Sequence, residues 1–138
     1  MNRETKILRK VKADWRDIIH EVNVLQSIAV DAGFDEDPEL LEQMLMSSHD
    51  GADVKAFIDL GLDKMEAYYK KLDFSLGEAA EVFGDRLSDL AGDFYTIKNS
   101  KRYPDVIRDQ AGKIEQMTRD LRTESMDYLN SKIDGKSE

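Results

Sequence analysis

The stretch RETKILRKVKADWRDIIHEVNVLQSIAVD, Arg3 to Asp31, decides the fold. Its apolar side chains fall at Leu8, Val11, Trp15, Ile18, Val22, Leu25 and Ala29, in steps of 3, 4, 3, 4, 3 and 4. That spacing lines them up on one side of an α-helix. Ile7, Ile19 and Ile28 flank the seam and widen it. A wide stripe suits a helix packed on two neighbours better than a bare two-stranded coil. Gly33 stands where a left-handed cap ends such a helix.

The same period continues down the chain. Asp37-Pro38-Glu39 has the chemistry of a helix start. The Asp caps free N–H groups, the Pro takes the first helical position, and the Glu favours the positive helix end. It opens a short second helix with Leu40, Leu41, Met44 and Leu45 as its buried side, and Ser47 to Gly51 is expected to break it. A third helix over residues 52–72 steps through Val54, Ile58, Gly61, Met65, Tyr68 and Leu72. Ser75 caps a fourth, which carries Leu76, Ala80, Phe83, Leu87, Leu90, Phe94 and Ile97. Gly77, Gly84 and Gly92 lie inside that helix and mark either close backbone approach, a kink or mere tolerance.

Pro104 opens the last helix, which runs to about Ile133 with a seam of Ile107, Ala111, Ile114, Thr118, Leu121, Ser125 and Tyr128. Every second position there is small or polar. This helix is therefore expected to bury less surface, either at the edge of the bundle or against a copy of itself. No segment alternates with the two-residue period of a strand. The fold class is all-α: a compact bundle of four long helices plus one short one. Residues 1–133 form a single domain and residues 134–138 a frayed tail.

Composition narrows the function classes. The absence of cysteine excludes a disulfide scaffold and a Cys-ligated zinc site. No apolar run exceeds three residues, as at Met44-Leu45-Met46, so no membrane span is expected. Met1 to Lys12 is charged throughout, the pattern of a chain without a secretory signal, and the expected location is the cytoplasm. The net charge of −9 is unevenly spread: residues 1–16 carry +4, residues 17–97 carry −14 and residues 98–138 carry +1. An acidic surface disfavours nucleic acid and anionic lipid everywhere except at the basic N-terminal turns.

Without cysteine, a metal or acid–base site has to draw on His20, His49 and carboxylates. The order His20, then His49-Asp50, then Asp85 resembles the ligand order of the HD-domain metal phosphohydrolases, an all-helical family, over residues 16–87. Gly84-Asp85-Arg86-Leu87 is also similar to the distal Asp segment of some members. The resemblance implies that these four residues hold a divalent metal that activates water against a phosphate ester. The chain departs from the family at Ser47-Ser48, where a bulky apolar pair is usual, and in the short interval of 35 residues from Asp50 to Asp85. The seam of the first helix also turns His20 outward. A ferritin-like site needs two Glu-x-x-His motifs, and the chain offers only Asp17-x-x-His20. Glu39/Glu42 and Glu78/Glu81 are similar to half of the magnesium site of MazG-like pyrophosphatases, but the second half does not follow.

The leading expectation is therefore a non-enzymatic, cofactor-free helical interaction protein: an adaptor, inhibitor or assembly component whose partner is another protein. Arg3, Lys6, Arg9, Lys10 and Lys12, with the outer face of the last helix, are the expected contacts. Positive charge near a helix N-terminus is unfavourable by about 0.3–1 kcal/mol per close charge. An acidic partner relieves it, and the chain's own acidic middle is the first candidate. The metal-dependent phosphohydrolase of His20, His49, Asp50 and Asp85 is the alternative. A nucleic-acid-mimicking inhibitor is another, since residues 17–97 hold nineteen acids against five bases. A homo-oligomer through the last helix is the third.

Overall fold

Five helices carry the chain: α1 (Arg3–Asp31), α2 (Pro38–Leu60), α3 (Met65–Lys70), α4 (Leu76–Lys98) and α5 (Asp105–Ser137). A computed structural model describes residues 2–137, with side-chain environments for residues 2–135. Four helices are long and one is short, and no strand occurs among the described residues.

Local chemistry sets most boundaries. The Asn2 side chain accepts from the Thr5 N–H and starts α1. At the other end Gly33 takes φ +79°. There the Phe34 N–H donates to the Ala29 carbonyl and the Gly33 N–H to the Val30 carbonyl, a Schellman stop. Asp37 caps α2 through the Leu40 N–H with Pro38 in the first position. Ser75 and Glu78 form a reciprocal capping box at the start of α4. The stops and caps at Gly33, Asp37 and Ser75 match the sequence expectations; the Asn2 cap was not among them.

The short helix is not where the sequence placed it. α2 runs unbroken through Ser47 to Gly51, so the expected 52–72 helix does not exist as one rod. Ser47 is buried, and its hydroxyl donates to the Met44 carbonyl inside the helix. A Cβ on Gly51 would stand 3.6 Å from the Trp15 ring. These small residues form a shallow surface that receives the indole; they are not a breaker. The break falls at Gly61, whose φ of +97° a side chain would strain. A 3₁₀ turn (Leu62–Lys64) and α3 follow. Val54, Ile58 and Met65 are buried as expected, whereas Tyr68 and Leu72, beyond the break, are exposed.

The four long helices pack around a square. α5 lies against α4 and α1, α4 against α2, and α1 meets α2 only sparsely. The cross-links fix the directions. Glu4 meets Lys132 while Glu21 meets Lys113, so α1 and α5 are antiparallel. Lys98 meets Glu115 while Arg122 bonds the Gly84 carbonyl, so α4 and α5 are antiparallel too. The result is an up–down–up–down bundle with α3 in the second connection.

The expectation that α5 sits at the edge is overturned. Its seam is buried at every position, including the small residues Ala111, Thr118 and Ser125. Small side chains let α1 and α4 draw close to it, so the seam is filled by the same chain. α5 is helical past Ile133, to Ser137; part of the expected tail, Glu138, lies outside the described residues.

The three glycines of α4 differ. A Cβ on Gly84 would stand 3.1 Å from the Met126 sulfur, a true close approach, whereas one on Gly92 would meet nothing within 4 Å. Gly92→Ala is therefore expected to raise stability by about 0.5–1 kcal/mol in urea unfolding, the helix-propensity gain. Gly84→Ala is expected to gain nothing or to lose stability in the same measurement.

Candidate functional site

The basic N-terminal set divides in two. Lys10 is committed inside the fold: its ammonium lies 3.0 Å from Asp14 and 2.9 Å from Glu124 of α5. Hydrogen bonds to Glu124 and then Asp14 hold its pKa above the usual lysine value. Arg3, Lys6, Arg9 and Lys12 are exposed and form no ion pair among the described residues. Between them on the same turns, Glu4 accepts from the Tyr128 hydroxyl at 2.6 Å and pairs with Lys132 at 2.7 Å. Burial and the Glu4 carboxylate push the Tyr128 hydroxyl up to about 12.

The four residues of the metal reading are not brought together. His20 on α1, His49 on α2 and Asp85 on α4 are exposed, and Asp50 is half-buried beside Asp93. No group of three or more His, Asp or Glu side chains among the described residues is placed to hold a metal ion. Glu78 is engaged in the cap of α4. No described helix is long and apolar enough to cross a membrane.

A feature the sequence reading missed runs between α1 and α2. Because those helices barely touch, an apolar cleft opens along nearly their whole length. Arg9 and Lys12 line one end, across from the turn at residues 58–64. Trp15, Ile18, Val22, Met44 and Gly51 line the middle, a cavity of about 320 Å³. Phe34, Leu40 and Leu41 line the far end. Aliphatic side chains crest both sides: Ile19 and Val30 on α1 are 41% and 58% exposed and Leu41 on α2 is 53% exposed, while Leu45, next in the chain after the lining residue Met44, is 60% exposed. Leu41 and Leu45 were expected on the buried side of their helix. Their exposure is the correction that reveals the cleft. The only hint in the sequence was Ile19, which widened the α1 stripe beyond what two neighbours cover.

Beneath the other side of α2, Asp93 of α4 is buried against Asp50. Asp93 Oδ2 has no hydrogen-bond partner among the described residues. Burial pushes the Asp93 carboxyl up to about 8, and the adjoining Asp50 and Asp89 charges add to the effect. Arg86 does not offset this, being engaged with Asp53 at 3.3 Å and Asp89 at 3.5 Å.

No known protein family matches the chain, and neither a curated protein nor a solved structure matches it.

The carboxyl pair fixes a pH dependence. Asp93 keeps its proton in the folded chain up to about pH 8, whereas an unfolded aspartate releases it near pH 4. Between those values the folded state binds more protons, so stability falls as pH rises from about 4 to 8. Asp93→Asn supplies a permanent donor to Asp50. Thermal melts of this variant are expected to show a flatter slope over that range and a higher Tm at pH 8 than the parent. Parallel curves for the two proteins would contradict the proton held on Asp93.

Proposed function

We propose that the chain is a non-enzymatic helical interaction protein of the cytoplasm, an adaptor, inhibitor or assembly component that presents helix faces to another protein. The observation that carries this reading is the set Arg3, Lys6, Arg9 and Lys12. They are four exposed cations without an ion pair among the described residues, two of them, Arg3 and Lys6, in the first turn of α1 where positive charge is least favourable, on a chain of net charge −9. The chain's acidic middle pairs with none of the set among the described residues, and Lys10 is answered instead by Asp14 and Glu124. An acidic partner surface would answer the rest. The open α1–α2 side supports the same reading, since apolar surface rimmed by polar residues marks interaction sites.

The nucleic-acid-mimicking alternative has one observation in its favour. Asp14, Asp17, Asp120, Glu124 and Asp127 line a cleft between α1 and α5 in which Lys10 is the one base.

The test of the main reading is charge reversal. The parent chain and an Arg3→Glu/Lys6→Glu/Arg9→Glu/Lys12→Glu variant are used as paired baits in extract of the native host. A protein retained by the parent, weakened by added salt and lost by the variant is the expected outcome. If both baits retain the same proteins, the basic face is not the contact.

A further inference from the structure

We infer that the open α1–α2 side is a dimer interface, and that its occupant is a second copy of this chain in antiparallel alignment. Three of the four sides of the bundle are closed by helix packing, and this one is not. Trp15 and Ile18 at the floor of the cleft are buried, and the apolar surface that water meets at a loss is that of Ile19, Val30, Leu41 and Leu45.

Charge identifies what covers it. At one end Arg9, Lys12 and Lys64 line the cleft and Arg16 follows one turn later, none with an ion pair among the described residues; Asp63 and Asp59, the latter paired with Lys55, line it too, so this end keeps a net positive charge. The far end is acidic. Asp35 lines it, Glu36 belongs to the same connection, Asp31 is the last residue of α1, and Glu42 stands in the second turn of α2. None of these four acids has an ion pair among the described residues either. Bases outnumber acids at one end, acids gather at the other, and aliphatic side chains lie between.

A two-fold axis perpendicular to the cleft exchanges its ends. Each basic end then meets an acidic end, and the aliphatic middle meets itself, with Ile19 and Leu45 near the axis and Leu41 close by. A C2 contact demands this self-complementary pattern. A partner of another kind would have to bring the same pattern reversed; the chain already carries it. The extent is adequate. Arg9 to Val30 spans about 30 Å at the helical rise, and two helices side by side are about 20 Å across. That footprint, roughly 600 Å² before surface relief, is comparable with the roughly 800 Å² per partner of a stable dimer. This contact differs from the last-helix contact expected from sequence, because the seam of α5 is already filled.

The inference adds a partner to the interaction reading but is tested separately, since no other macromolecule is needed. Sedimentation of the purified chain at 1–100 µM is expected to give twice the 15.8 kDa chain mass. Leu45→Glu, at an exposed position, is expected to keep the parent's helicity and to raise the dimer dissociation constant at least tenfold, with a Tm that no longer rises with protein concentration as the parent's does. Lys12→Glu/Arg16→Glu is expected to weaken the dimer, and adding Asp35→Lys/Glu36→Lys to restore it, which general loss of folding could not do. A parent chain that stays monomeric at 100 µM overturns the inference and leaves the cleft to a different molecule. A dimer insensitive to Leu45→Glu overturns it in favour of another face. Neither result bears on the proteins captured through Arg3 and Lys6.

Discussion

The rest of the bundle depends on one buried stripe, the seam of α5. Large side chains at Ile107, Ile114, Leu121 and Tyr128 alternate there with Ala111, Thr118 and Ser125, and all are inside. Alternating large and small residues let facing layers interlock at close range. Two helices exploit it at once, α4 on one flank and α1 on the other. Along the α1 flank, Glu4–Lys132, Lys10–Glu124 and Glu21–Lys113 add a ladder of ion pairs. Such pairs contribute about 0–1 kcal/mol each, so the buried stripe holds the helices and the charges set their register.

That arrangement explains why one side stays open. α1 is held by α5. α2 is held by α4, through Phe57 against Phe83 and the Asp50–Asp93 contact. The start of α2 is tied to the opposite connection as well: Asp37, besides capping its own helix, accepts from the Tyr103 hydroxyl and pairs with Arg102. Phe34 packs edge-on against the same Tyr103 ring. α1 and α2 are therefore anchored to partners other than each other. Between them Trp15 lies over Gly51, where a Cβ would stand 3.6 Å from the indole.

What was legible in the sequence follows from the range of each interaction. The caps at Gly33, Asp37 and Ser75 are settled within a few residues, and the seams of α1 and α4 within a few turns, so pattern reading recovers them. The extent of α2 was not recoverable. Ser47, Ser48 and Gly51 are weak helix formers by about 0.5–1 kcal/mol each, and that local deficit read as a break. The compensating contact comes from Trp15, some three dozen residues away, which a one-dimensional pattern cannot pair with them. The same limit applies to the surface. The outward turn of His20 followed from the α1 seam alone, and the structure bears it out. The exposure of Leu41 and Leu45 did not follow, because it depends on which helix lies beside α2. The small residues of α5 illustrate the converse error: a small residue signals a close neighbour as readily as a poor contact.

Net charge and local charge pull in opposite directions on this surface. Two chains at −9 repel each other as whole bodies, and a smooth distribution of that charge would oppose any pairing. At physiological ionic strength, however, the Debye length is about 8 Å, far less than the length of α1. Only charges that meet across a contact then count, and distant acids on α4 and α5 are screened out of the balance. Segregating bases to one end of the α1–α2 side and acids to the other turns a repulsive average into attraction for one orientation and repulsion for its reverse. The aliphatic middle supplies most of the binding energy without direction, because burial is indifferent to how two apolar faces are rotated. The charged ends add little affinity but select the orientation. An acidic chain with unpaired cations along one helix can in this way be selective about its contacts without giving up the net charge that keeps it from aggregating.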